Sequence, residues 1–337
     1  AVTPKVRHYL LTALLKEVSR SFYLTLRILP GGVRSQIGLA YLLARASDTI
    51  ADTEVLPVDV RLGALHDFRS ALLASDSNLI LSNFLDKQGT VAERTLLSRA
   101  PQAIALVDSF DSADGSRIRA LLETIIGGQE LDLLRFAGAG SGQIKSLQAD
   151  DELDDYTYRV AGCVGEFWTH MCLAHLHGAV ADQPRLIENG IRFGKGLQLV
   201  NILRDLPADL RNGRCYMPQS ELAKINLTAS DLLQIDRESQ FRPLYNRYLE
   251  RAAAHLDAGW QYTLSLPRNW RRVRLACSWP ILIGLATLEK LRQSEILHGT
   301  RRIKISRRDV RNILLRSIVL YPFKKRWMAL GPATRVP

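Results

Sequence analysis

Tyr41-Leu42-Leu43-Ala44-Arg45-Ala46-Ser47-Asp48-Thr49-Ile50-Ala51-Asp52 decides how the chain is read. Its apolar residues cluster without period-two alternation, so Ile37 to about Asp52 predicts a uniformly apolar, buried helix. Asp48 and Asp52 stand four residues apart and share one face, with Arg45 three residues before Asp48. Carboxylates on a buried helix need partners, because burying unpaired charge is very costly. Taken alone, the pattern also fits a solvated last turn with an Arg45 salt bridge.

Working outward, the periodicity stays helical. Leu10, Leu11, Leu14, Leu15, Val18 and Phe22 follow the spacing of an amphipathic helix that stops before Pro30-Gly31-Gly32. Further helices are expected near 58–72, 91–110, 114–136, 151–178, 184–206, 238–264, 274–297 and 307–320. No hairpin signal interrupts them, so strand content should be minimal. Residues 137–143 and 206–219 read as loops, flanked on both sides by helices of the same kind. One all-α domain over residues 1–337, with its core at about 10–320, is the simplest account.

Composition narrows the classes. Of 337 residues, 47% are hydrophobic and 23% charged, which supplies a large core and excludes a disordered chain. Charges or prolines cut every apolar stretch short of the roughly 18 residues that a bilayer demands. The net charge of +11 favours an anionic partner: nucleic acid, a membrane surface or a phosphate-bearing substrate. Cys163, Cys172, Cys215 and Cys277 form no C-x-x-C pair and are expected as reduced, buried thiols of a cytoplasmic protein.

A second acidic set shifts the balance. In Gln198-Leu199-Val200-Asn201-Ile202-Leu203-Arg204-Asp205-Leu206-Pro207-Ala208-Asp209, four polar side chains (Gln198, Asn201, Asp205, Asp209) line one face. Pro207 should kink or end this helix, bringing Asp209 in from an irregular turn. If the two sets face each other, carboxylates ~6 Å apart repel by about 3 kcal/mol per pair at an effective dielectric near 20. Cations must then sit among them. Oxygen-only donors point to Mg²⁺, shared with a diphosphate.

With these motifs in hand, the sequence resembles the squalene/phytoene synthase family. Asp48 to Asp52 and Asn201 to Asp209 are similar to its two aspartate-rich motifs. Ser19-Arg20-Ser21-Phe22, Tyr156-Thr157-Tyr158-Arg159-Val160-Ala161-Gly162-Cys163-Val164-Gly165 and Gly213-Arg214-Cys215-Tyr216-Met217-Pro218 come in family order. The resemblance implies an isoprenoid-synthase helical bundle around a deep central cavity. It implies head-to-head condensation of two farnesyl diphosphates through a cyclopropyl diphosphate. By the same resemblance, Asp48, Asp52, Asp205 and Asp209 would hold Mg²⁺. Ser19, Arg20, Arg45, Gln198, Asn201 and Arg204 would contact diphosphate or complete the site. Phe22, Tyr41, Tyr156 and Val160 would line the cavity, with Tyr156 handling the cyclopropyl step. Residues 18–22 and 45–52 look closer to squalene synthase, which implies NADPH reduction to squalene, with Lys304 in a loop near that cofactor. Dehydrosqualene or phytoene synthesis without reduction is the alternative. Pro207 departs from the usual second motif.

Weaker signals have plainer readings. His170, Cys172, His175 and His177 crowd one helix, but spacings of two point to different sides, which argues against zinc. Trp168, Trp260 and Trp279 fit helix packing. The basic clusters Arg271-Arg272-Val273-Arg274, Arg301-Arg302, Arg307-Arg308 and Lys324-Lys325-Arg326 accompany no nucleic-acid-binding motif, so no nucleic acid is expected as partner. Residues 313–328 read either as a last core helix with a solvated basic tail or as peripheral contact with the inner face of an anionic membrane.

Overall fold

The computed structural model describes residues 2–19, 22–74, 79–140, 142–298 and 302–332. In the N-terminal part the helices are α1 (Pro4–Tyr9), α2 (Leu15–Ser19), α3 (Tyr23–Ile28) and α4 (Gly31–Ala51). They continue with α5 (Val58–Ala74), α6 (Ser82–Leu85), α7 (Val91–Val107) and α8 (Ser112–Arg135). Next come α9 (Asp150–Thr157), α10 (Cys163–His175), α11 (Gln183–Arg211) and α12 (Gln219–Ala223). The last are α13 (Glu238–Ser265), α14 (Arg271–Arg292), α15 (Arg307–Leu320) and α16 (Lys324–Met328). The all-α expectation holds. The described strands are one parallel two-residue pair, β1 (Lys145–Ser146) with β2 (Arg214–Cys215).

Two compact units emerge: Ala1–Leu134 with His170–His177, and Arg135–Thr169 with Gly178–Pro337. In the first, α4 packs on α7, α5 and α2. Leu39, Leu42, Leu43 and Ile50 of α4 are fully buried, as its apolar sequence predicts. The helix starts at Gly31 rather than Ile37, because Pro30 supplies the extended residue that opens it. Thr90 caps α7: its hydroxyl accepts from the Glu93 amide at 3.2 Å and donates to the Glu93 carboxylate at 2.8 Å.

In the second unit α11 packs along α13, and both pack on α14. Its tightest seam is glycine on backbone: a Cβ on Gly194 would lie 2.0 Å from the Ala161 carbonyl oxygen. A side chain at Gly165 would meet the Gly190 carbonyl in the same way. The expected single helix over 151–178 is instead α9 and α10 joined by a π turn at Tyr158–Gly162. That turn adds a residue and rotates the helix beyond it, so Val160 and Val164 do not continue the Tyr156 face at steps of four; Val164 is 36% exposed. All five tryptophans and all four cysteines are buried, and no disulfide joins the thiols. Burial above all pushes the Cys163 thiol up to about 12.

Pro207 does not end its helix, one of the two outcomes the sequence suggested: α11 continues to Arg211. A proline there cannot donate to the carbonyl of Leu203. The Tyr245 hydroxyl on α13 donates to that carbonyl instead, at 2.9 Å, so the orphaned acceptor is satisfied from a neighbouring helix. Tyr245→Phe should therefore cost about 1–3 kcal/mol. The loss should shrink in a Pro207→Ala background, where residue 207 regains its own donor. Urea melts of the four proteins check this, and purely additive losses would contradict it.

His255 on α13 supplies a pH test. Burial first, then the cations Arg192, Arg251 and Lys195, hold its pKa down at about 4 against an ordinary 6.5. Between those values the unfolded chain binds a proton that the native chain does not. Stability from the neutral ring is whole above 6.5 and drains as pH falls toward 4, by up to roughly 3 kcal/mol. His255→Gln should flatten that part of the stability profile. An unchanged slope would mean the ring is solvated.

Candidate functional site

In the first unit α4 carries Tyr41, Arg45 and Asp48, with Asp52 as its C-cap. Tyr41 stacks on Phe22, centroids 5.1 Å apart and planes at 25°. Arg45 Nη1 donates to Asp48 Oδ2 at 2.5 Å, and its Nη2 lies 3.9 Å from Glu93 Oε1. Asp48 keeps 41% of its side-chain surface accessible, yet the protein massed around it desolvates the carboxyl. Desolvation outweighs Arg45 and a hydrogen bond from Gln129, and the pKa of Asp48 is raised. The group is accessible but recessed, and its charge is under-compensated.

Gln129 of α8 is buried, and its Oε1 has no hydrogen-bond partner among the described residues. An orphaned oxygen beside an under-compensated carboxylate is a donor set that fits hydrated Mg²⁺, which takes oxygen ligands and keeps its waters. Asp52 is exposed and lines a cavity of about 290 Å³ with Arg45, Thr49, Gln88 and Glu93. Ser19 is buried, and its hydroxyl donates to the Leu15 carbonyl at 2.5 Å. Arg20 lies outside the described residues.

In the second unit the polar face of α11 forms as expected. Asn201 Nδ2 donates to Gln198 Oε1 at 3.4 Å. Arg204 Nε and Nη2 donate to the two oxygens of Asp205 at 2.9 and 2.7 Å. Arg302 grips the same carboxylate with a second fork. Burial would raise the pKa of Asp205, but the hydrogen bonds and charges of Arg204 and Arg302 hold it below the usual carboxylate range. Asp209 lies further along the same unbroken helix, half-buried. Lys304 joins none of these groups. Its side chain is exposed and its carbonyl accepts from Lys290 Nζ at 3.0 Å.

Tyr156 ends the apolar side of α9, 9% exposed. Its ring stacks on Tyr216 at 4.8 Å, the hydroxyls are 3.4 Å apart, and Phe136 meets Tyr216 edge-on at 5.2 Å. The two stretches read as loops place Tyr216. They meet beside the β1–β2 pair, where Gly213, at φ +79°, passes so close to Gly140 that a Cβ would lie 2.2 Å from its nitrogen. Val160 sits half-buried in the π turn.

Sequence reasoning missed Gln129, Tyr216 and Arg302 as site residues. Tyr216 stood inside a quoted motif and Arg302 beside Lys304; nothing local marks Gln129. It also missed a cluster at the foot of α8. Asp111, Asp114 and His175 bring their donor atoms within 4.8 Å of one another. There Asp114 accepts from Gln36, Arg117 and His175, while Asp111 accepts from the Asp114 amide. His170, His177 and Cys172 do not belong to it.

Solved structures share this architecture. A TcSQS bound to the ligand E5700 superposes with a TM-score of 0.77 at 22% identity, over 98% of this chain and 93% of that one. A dehydrosqualene synthase in complex with ligand gives 0.65 at 18% identity, over 95% and 98%. The fold is the helical fold of those synthases. The chain belongs to the squalene/phytoene synthase family, whose model matches residues 15–309. Among relatives, it is 29% identical over 243 residues to a bifunctional lycopene cyclase/phytoene synthase of Gibberella fujikuroi, covering 71% of this chain. It is 27% identical over 280 residues to human squalene synthase, covering 81% of this chain. It spans 40% of the length of the first and 61% of the second.

Proposed function

We propose that this prenyltransferase-family chain condenses two farnesyl diphosphates head to head through a cyclopropyl diphosphate and reduces the product to squalene with NADPH. The observation that carries the reading is Asp48. It is recessed, under-compensated, braced by Arg45 and set beside an unpaired oxygen, on the helix that carries the first aspartate motif. Asp48, Asp52, Asp205 and Asp209 would hold Mg²⁺, which, when bound, draws negative charge off a leaving diphosphate. Arg45 and Arg204 orient the diphosphates by forked donation. By the family resemblance, Gln198, Asn201, Ser19 and Arg20 would contact diphosphate or complete the site. The Phe22–Tyr41 and Tyr156–Tyr216 stacks offer π faces to carbocations, worth up to ~2 kcal/mol each when dry.

Asp205 is the guarded ligand. Both of its oxygens are taken by arginines, so a metal there displaces at least the exposed Arg302. For NADPH the family resemblance points to Lys304, whose side chain is exposed; the cofactor enters this reading as a requirement to be measured.

A second reading, dehydrosqualene or phytoene synthesis without reduction, is supported by phytoene synthase relatives as similar as the squalene synthase ones. One experiment separates the two. The enzyme is incubated with farnesyl diphosphate and Mg²⁺, with and without NADPH, and the hydrocarbon is identified. Squalene formed only with NADPH supports the first reading. A product unchanged by NADPH moves the enzyme to the second, and condensation only of a longer donor moves it to phytoene.

A further inference from the structure

No described helix is long and apolar enough to cross a membrane. The C-terminal helices nevertheless present an unusual surface. α15 opens with a Ser306–Asp309 capping box and buries only Ser317. Leu315, Ile318 and Val319, spaced to share one face, are 59%, 47% and 63% exposed. Arg311 and Arg308 continue the same stripe one and two turns before Leu315 and are exposed. Beyond the helix Phe323 and Met328 are exposed as well. From Arg302 to Pro332 the chain carries nine Lys or Arg and one acid, Asp309.

At the C-terminal end of α15, where α16 follows, lies a cavity of about 280 Å³ whose charged walls are Arg268, Arg274 and Lys324, beside Tyr321, Trp327 and the apolar Leu264, Leu266 and Met328. No carboxylate among the described residues lines it. Arg274 is 6% exposed, and its guanidinium lies 4.9 Å from the Trp327 ring centroid and 5.8 Å from that of Tyr321. Its Nε has no hydrogen-bond partner among the described residues. Tyr321 takes one of the guanidinium N–H groups, but aromatic faces do not satisfy Nε. Three cations, one of them buried with an unused donor, are complementary to a phosphate.

We propose that this face docks on an anionic phospholipid bilayer: the α15 stripe and Phe323 enter the interface, and the Arg268–Arg274–Lys324 cavity takes one lipid phosphate. Apolar side chains rimmed by arginine and lysine are what interfacial binding needs, apolar burial plus attraction to anionic headgroups. The geometry uses none of the residues assigned to condensation, so the proposal stands or falls apart from the reaction.

Co-sedimentation of the full chain tests it, with neutral phosphatidylcholine vesicles and with vesicles holding about 30% phosphatidylglycerol. Binding should require the anionic lipid and weaken as salt is raised. Arg268→Gln/Lys324→Gln and, separately, Ile318→Ser/Val319→Ser should each weaken it by at least ~10-fold with unchanged circular dichroism. Lys224→Gln/Arg237→Gln, which removes equal charge elsewhere, should bind like the parent. Equal binding to neutral vesicles, or full binding by either test variant, would overturn the proposal. So would capture of inorganic phosphate without vesicle binding, or a stable dimer that Ile318→Ser/Val319→Ser splits.

Discussion

Asp48→Asn and Asp205→Asn should each lower condensation by ~10²–10³, the size of one preorganised interaction with developing charge, because each removes a ligand to the cation that would draw charge off the leaving diphosphate. The two variants fail differently. At Asp48 the substitution removes a carboxylate already short of compensation, so the fold should lose little and the helical circular-dichroism signal should persist. At Asp205 it leaves the forks of Arg204 and Arg302 facing a neutral amide, a loss of order 1 kcal/mol at a half-buried pair, still well short of unfolding. Steady-state rates with farnesyl diphosphate and saturating Mg²⁺, beside spectra and melts, check both. Near-normal turnover in either variant would end the metal–diphosphate assignment for that helix.

Tyr156→Phe should lose at least ~10² in condensation rate while folding normally and binding farnesyl diphosphate, the low end for a positioned acid–base group. The ring remains and keeps its stack on Tyr216, so packing is preserved and only the hydroxyl is tested. That hydroxyl lies 3.4 Å from the one on Tyr216, at the long end of hydrogen-bond distances. Tyr216→Phe should accordingly cost less than Tyr156→Phe, since it removes a neighbour rather than the acting group. Equal, small losses for both would make the pair a packing element. If NADPH is the reductant, the wild type without it should accumulate the cyclopropyl diphosphate.

Most of the helical frame was legible because hydrophobic periodicity is a local signal. α4 buries the apolar residues that single it out, α13 and α15 lie where the spacing puts them, and α14 starts three residues earlier and ends five earlier than expected. What escaped was decided by distant residues. Pro207 is a helix breaker by local rules, yet α11 continues through it, and the Tyr245 hydroxyl from another helix takes up the carbonyl that the proline leaves unpaired. Nothing in residues 151–178 announces a π turn; it accompanies the close approach of Gly165 and Ala161 to Gly190 and Gly194. The same division runs through the site. Arg45 with Asp48, and Arg204 with Asp205, are neighbours in sequence and were read directly. Arg302 reaches Asp205 across 97 positions, and Gln129 comes to Asp48 from α8; neither pairing can be had from one-dimensional spacing.

Mg²⁺ held by these aspartates is what should let the chain join two prenyl diphosphates. The most direct measurement strips the protein with EDTA, adds farnesyl diphosphate and titrates Mg²⁺, counting diphosphate released against hydrocarbon formed. The expected result is no turnover before Mg²⁺, poor restoration by Zn²⁺, and two diphosphates released for each head-to-head product once reductant is supplied. Release of one diphosphate with farnesol as the product, or full activity without a divalent ion, would contradict it.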